Sequence, residues 1–315
     1  MLIFEKMLTL LLLMTVGYVF YKLNWVTDNG TSLISKIVLN VANPAMMITA
    51  GLSSSTSISN MTLLYTLFTA IFFYAFLLIT APLVVKIFRI PVTRAGTFKY
   101  MYVFGNVGFM GIPLITSVYG SEYALLLSIF NFCFNILAYT YGINLIKKEA
   151  AINSPEKVEL QTGTSFQLKS IINAGTVGCM IALLCFFTKL QVPDFLSDTL
   201  ERLGNLAAPL SMFVIGSSIA AMELKELVTD LHLDLFILVR MLVLPIIGIM
   251  LLKVFISSEL LLRVFYVVIS VPFATTSVIM AQEYGGDKTS ASRGVALSTI
   301  LSVITLPVIG LIFGF

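Results

Sequence analysis

One histidine, one tryptophan and three cysteines in 315 residues leave little material for a metal centre or a disulfide framework. His232 stands alone in a polar loop, and Cys133, Cys179 and Cys185 lie within apolar runs with no Cys-x-x-Cys or Cys/His spacing. The cysteines read as small core residues, and no metal site or cofactor is expected. Charge is scarce as well. Only 11% of the residues are charged and 58% are hydrophobic, whereas soluble domains carry roughly 25% charged residues. That deficit excludes a soluble domain and makes the lipid bilayer the main partner of the surface. The net charge of +3 comes from basic residues gathered in particular loops, which excludes nucleic acid as a partner. No Ser/His/Asp set, paired intramembrane aspartates, His-Glu-x-x-His or phosphate-binding loop is present. A membrane enzyme is therefore not expected.

What the chain has instead is a succession of uncharged apolar runs. In lipid the backbone must satisfy its own hydrogen bonds, so each run of about 20 residues reads as a helix, the Phe-rich and Ile-rich ones included. Ten are placed, at about residues 3–23, 30–52, 61–85, 97–118, 123–146, 170–188, 197–221, 233–254, 262–283 and 290–313. The first lacks a basic n-region and a small-residue cleavage site, so it reads as a span and not a signal peptide. The expected fold class is an all-α membrane protein.

Orientation follows from Lys and Arg. Lys86, Arg89, Arg94 and Lys99 cluster between spans three and four, and Lys147, Lys148, Lys157 and Lys169 between five and six. Both loops are expected on the cytoplasmic side of the plasma membrane, with both termini outside. The stretch 147–169 is the one sizeable polar segment, and it divides the chain into 1–146 and 170–315.

These halves are related. Asn40, Ala42, Pro44, Met47, Gly51 and Ser53 of span two coincide with Asn205, Ala207, Pro209, Met212, Gly216 and Ser218 of span seven at an offset of 165 residues. Tyr119-Gly120 and Tyr284-Gly285 recur at the same offset. A repeat of five spans, an odd number, starts its second copy from the opposite side of the membrane, so the repeats are expected to be inverted.

Span four carries Gly105-Asn106-Val107-Gly108-Phe109-Met110-Gly111-Ile112-Pro113, and span nine carries Val271-Pro272-Phe273-Ala274-Thr275-Thr276-Ser277. Glycine and proline weaken a helix there, and non-helical backbone at membrane depth is tolerated where it lines a cavity. Breaks at matching places in inverted halves therefore point to a substrate site. Two half-helix N-termini with about +0.5 charge apiece would favour an anion, provided the opposite ends of the preceding halves face elsewhere. The candidate site residues are Gly105, Asn106 and Gly108 in span four, Asn43 and Pro44 in span two, Asn131 and Asn135 in span five, and Pro272, Thr275 and Thr276 in span nine. Asn131 and Asn135, like Ser298 and Ser302 in span ten, share a helix face and suit interhelical hydrogen bonds as well as substrate contact. Arg240 lies about a third of the way into span eight, from which it is expected to snorkel to the cytoplasmic face.

The run from Gly105 to Leu114, together with Val271-Pro272 and Glu283-Tyr284, resembles the auxin efflux carrier family of plants and bacteria over essentially the whole chain. The resemblance implies a fold like that of bile-acid symporters and sodium/proton antiporters, in which the two broken helices cross. Spans three to five and eight to ten would form a transport domain on a scaffold, and members resemble homodimers. It also implies that Asn106 contacts a substrate carboxylate, with help from the proline-bearing second span. Gly105 stands where plant carriers commonly have a proline and Met47 where they have a serine. Bacterial members look like permeases for small carboxylates such as malate or malonate. A carrier of small organic anions is the expectation, with a proton or sodium ion as candidate coupling ion and an auxin-like aromatic carboxylate as the alternative cargo.

Overall fold

The computed structural model describes residues 2–53, 58–153, 172–221 and 230–315. Lys157 and Lys169, and the linker beyond Asn153, lie outside the described residues. Among those described, the chain is helical throughout, and its one β feature is an isolated bridge. In order the helices are α1 (Leu2–Lys22), α2 (Asp28–Ser53), α3 (Asn60–Ile87), α4 (Ala95–Val103), α5 (Val107–Tyr119), α6 (Glu122–Asn153), α7 (Ala174–Thr188), α8 (Asp194–Ala220), α9 (Leu231–Phe255), α10 (Glu259–Ser270), α11 (Thr276–Tyr284) and α12 (Lys288–Phe313).

Six of these, α2, α3, α6, α8, α9 and α12, are long and apolar enough to cross a membrane. Their outward faces are apolar too. On α3, Tyr65, Phe68, Phe72, Ile79 and Leu83 are all exposed, Ile79 to 77%, a face that water would not tolerate and lipid does. Local chemistry sets the ends. Ser59, Asp230, Ser258 and Asp287 accept from backbone amides at the starts of α3, α9, α10 and α12, and Asn173 with Thr176 makes a full capping box at α7. Proline sets the irregularities, because its ring lacks an N–H and crowds the carbonyl four residues back. A π-turn at Val38–Ala42 precedes Pro44 in α2, and a break at Leu206 precedes Pro209 in α8.

Glycines allow unusually close helix pairs, two of them at matching places. A Cβ on Gly51 of α2 would lie 2.2 Å from the Ala182 carbonyl oxygen of α7, and one on Gly216 of α8 would lie 1.8 Å from that of Met14 on α1. At such separations backbone meets backbone, which is how membrane helices pack without a hydrophobic drive between them.

A polar cluster closes one end of the bundle. Arg94, just before α4, pairs with Asp230 and with Asp287, each at 2.7 Å, and also donates to Ser290. Glu149 on α6 accepts from the amide and hydroxyl of Thr97 and from the amide of Asp287. That buried carboxylate is why α6 runs on past the apolar stretch, through Lys147 and Lys148, to Asn153. His232 lies exposed in the first turn of α9.

Candidate functional site

The helix pairs α4/α5 and α10/α11 are each one rod interrupted. After Val103 the backbone extends at Phe104, passes Gly105 and Asn106, and resumes as a π-turn at Val107–Gly111. After Ser270 it extends at Val271, passes Pro272, Phe273 and Ala274, and resumes at Thr276. The two interruptions meet. Gly105 and Phe273 form an antiparallel bridge, in which the Asn106 amide donates to the Pro272 carbonyl at 2.7 Å and the Ala274 amide to the Phe104 carbonyl at 3.0 Å. Each break thereby satisfies backbone groups that the other leaves open, as burial demands. A further orphan, the Phe273 amide, donates to the Ser298 hydroxyl of α12 at 3.1 Å. Ser298 is thus an interhelical contact that repairs a break.

Four helix ends converge here, and their sorting decides the electrostatics. The C-terminal ends of α4 and α10 are covered by Arg240: its Nε donates to the Tyr102 carbonyl at 2.9 Å and its Nη1 to the Ile269 carbonyl at 2.7 Å. This corrects the snorkelling expectation. Arg240 is 1% exposed and reaches inward, because two unpaired carbonyl ends offer a better partner than a distant interface. The N-terminal ends of α5 and α11 line an open cavity of about 240 Å³. Among their first-turn amides, those of Val107 and Met110 donate to the Gly105 and Asn106 carbonyls, and those of Ser277 and Val278 to the Ala274 and Thr275 carbonyls. The positive ends face the cavity while the negative ends are sealed.

Of the candidate residues, Asn43, Gly105, Asn106, Gly108, Asn131, Asn135, Thr275 and Thr276 all line that cavity. Pro44 and Pro272 do not. Pro44 packs against α7, where a Cβ on Gly178 would lie 2.9 Å from its Cα, and Pro272 works through its carbonyl. Asn43 donates from Nδ2 to the Gly108 carbonyl at 2.7 Å, tying α2 to the second break-half. The side chains of Asn106, Asn131 and Thr275 make no hydrogen bond among the described residues, so their polar groups are free for a ligand. Asn135 is held by its neighbours: its Nδ2 donates to the Asn131 carbonyl and its Oδ1 accepts from Asn173 Nδ2 at 3.1 Å. Thr276 accepts from the Tyr100 hydroxyl at 3.2 Å.

Asn173 and Tyr100 were missed in the sequence, and so was Asn40 as a lining residue. A second cleft of about 460 Å³ shares Asn106 and Thr275 with the first and runs on toward the start of α2, lined by Asp28, Ser35, Ser217 and Thr299. A third, of about 590 Å³, lies toward Ser53 and Ser121 at the opposite end and contains none of the candidate residues.

A helical body with lipid-facing surfaces, two mutually paired helix breaks and a polar cavity at their junction defines an integral membrane transporter. The chain belongs to the Membrane transport protein family, whose model matches residues 2–310. That is the family to which the resemblance to auxin efflux carriers pointed. Among curated proteins it is similar to the "Putative malonate transporter" of Rhizobium meliloti (strain 1021), with 26% identity over 229 residues, covering 69% of this chain and 67% of that protein.

Proposed function

We propose that this chain is a secondary carrier of small organic anions, dicarboxylates such as malonate or malate, working by alternating access with the anion held at the N-termini of α5 and α11. The architecture proposed is ten membrane spans in two inverted repeats, 1–146 and 170–315, joined by a cytoplasmic linker at 147–169. The matched close packings support it: Gly51 of the first half against α7 of the second, and Gly216 of the second half against α1 of the first, stand 165 residues apart, as Pro44 and Pro209 do. In a plasma membrane with the basic loops inside and both termini outside, the two clefts that reach Asn106 open toward the cytoplasm. The reading takes a proton or a sodium ion as the driving partner and a homodimer as the assembly.

One observation carries the proposal. Both positive helix ends and three unpartnered polar side chains converge on one small cavity, while Arg240 and the bridge cover the negative ends. Anions are the ligands such an arrangement favours. The named relative supplies the substrate class.

Uptake of labelled malonate, malate and indole acetate into proteoliposomes, with and without a proton or sodium gradient, tests it. Malonate or malate uptake is expected, and Asn106→Ala is expected to weaken it. Loss of a hydrogen bond to a charged group costs about 1.5–3 kcal/mol, roughly a tenfold to hundredfold loss of affinity. Uptake untouched by Asn106→Ala would sink the site; uptake of indole acetate alone would favour the aromatic alternative.

A further inference from the structure

Two charged side chains in the described residues are buried to 1% exposure, Glu149 and Arg240. Glu149 accepts three hydrogen bonds at the polar end of the bundle. Arg240 has no carboxylate: none of the ion pairs among the described residues includes it. A charged group this deep in a membrane protein is costly and by default functional. Its Nε and Nη1 are occupied by the two carbonyl ends, but its Nη2 is buried without a partner.

The position of that free nitrogen is informative. A Cβ on Gly105 would lie 3.4 Å from Nη2 and 3.0 Å from the Val271 side chain. Gly105 lines the cavity that holds Asn106. Gly105 thus has the edge of the guanidinium on its Cβ side and itself lines the space proposed for the anion. Any larger residue at 105 would stand between them.

Helix-end charges sharpen the point. Two C-termini and two N-termini meet here, each with a partial charge of about half an elementary unit, and their sum is close to zero. The N-termini alone would then attract an anion only at short range, with the C-termini behind them cancelling the field further out. Arg240 changes that balance by a full unit.

We infer that Arg240 sets the charge preference of the site: its guanidinium, behind Gly105, supplies the net positive charge that lets the carrier favour a dianion over a monoanion. Arg240 acts through the field and through the positions of the two carbonyl ends, with no contact to substrate required. The inference rests on the carboxylate reading and deepens it.

The test measures uptake KM for malonate, monomethyl malonate and dimethyl malonate, which carry two, one and no negative charges, in the full-length protein in proteoliposomes. Arg240→Gln is expected to raise the malonate KM about tenfold more than that of the monoester, and to affect the diester least. Arg240→Lys keeps the charge and loses the fork, so it is expected to weaken uptake while preserving the malonate-to-monoester ratio. Gly105→Ala, which inserts a methyl group before Nη2, is expected to shift the ratio in the same direction as Arg240→Gln, and it serves if the glutamine variant fails to fold. A common loss factor for all three compounds in Arg240→Gln, or an unshifted ratio in Gly105→Ala, would assign Arg240 to packing alone and overturn the inference. No uptake of any of the three by the unaltered protein would overturn the carboxylate reading and this inference together.

Discussion

Replacing Gly108 by alanine adds one methyl group at the mouth of α5, and the surroundings say where the strain goes. The new Cβ would lie 2.8 Å from Asn131 Oδ1 and 3.5 Å from its Cγ. Relief requires the amide to move by roughly half an ångström, and it can, because it is the far end of a flexible side chain with no hydrogen bond to hold it and a cavity to move into. The fold should absorb the change for about 0.5–1.5 kcal/mol of rotamer strain. Binding should not. If Asn131 donates to a substrate carboxylate, displacing it forfeits about 1.5–3 kcal/mol, a tenfold to hundredfold rise in the KM for malonate. Gly51→Ala is the control, since its Cβ would meet the Ala182 carbonyl oxygen at 2.2 Å and the carbonyl carbon at 2.8 Å. Backbone cannot swing aside, so α2 and α7 must part, at about 1–3 kcal/mol or more. Measured together, thermal unfolding in detergent and proteoliposome uptake should separate the two variants: Gly108→Ala retains its unfolding temperature and loses affinity, whereas Gly51→Ala loses stability. A Gly108→Ala protein as unstable as Gly51→Ala, with an unchanged KM, would remove Asn131 from the site.

Other expectations concern the breaks and the polar end. Ser298→Ala strips the acceptor from the buried Phe273 amide and should lower stability by about 1–3 kcal/mol, read as a fall in unfolding temperature, while leaving the malonate-to-monoester ratio as it was. Burial works against ionisation of Asp287, but the hydroxyl and amide of Ser290 and the Arg94 guanidinium outweigh it and hold the carboxyl below the usual carboxylate range. Asp230 is lowered likewise, against burial, by Arg94 and the Leu233 amide. Since the folded value lies below the unfolded one, the stabilisation is complete above about pH 4 and drains away as pH falls through the lower folded value. The unfolding temperature of the unaltered protein should drop in acid, and that of Asp287→Asn should drop less; equal acid slopes would show that the Asp287 carboxylate contributes nothing.

Glycine and proline act on the backbone itself, so both breaks were legible in the sequence around Gly105, Gly108 and Pro272, and eight of ten candidate residues line one cavity. What a long side chain reaches is a different matter. Position along span eight gave the approximate depth of Arg240, but not that Tyr102 and Ile269 would bring two carbonyls within its grasp from helices far away in sequence. Asn173 was hidden for another reason. It stands at the start of the sixth apolar run, where it reads as an ordinary helix cap, and only the packing of α7 on α6 brings its amide to Asn135. Glu149 follows two lysines and reads as the start of a polar linker, until Thr97 and the Asp287 amide turn it inward.

The bridge between Gly105 and Phe273 also has a bearing on how the molecule is made. The Asn106 amide and the Phe104 carbonyl find their partners in a strand of chain translated about 170 residues later, a delay of roughly 10–30 s at ordinary rates of synthesis. During that interval the first break sits in the membrane with its polar groups unanswered, free to borrow water or a chaperoning helix. The Asn106 amide and the Phe104 carbonyl therefore wait for the stretch from Pro272 to Ala274, which pairs with both when it emerges.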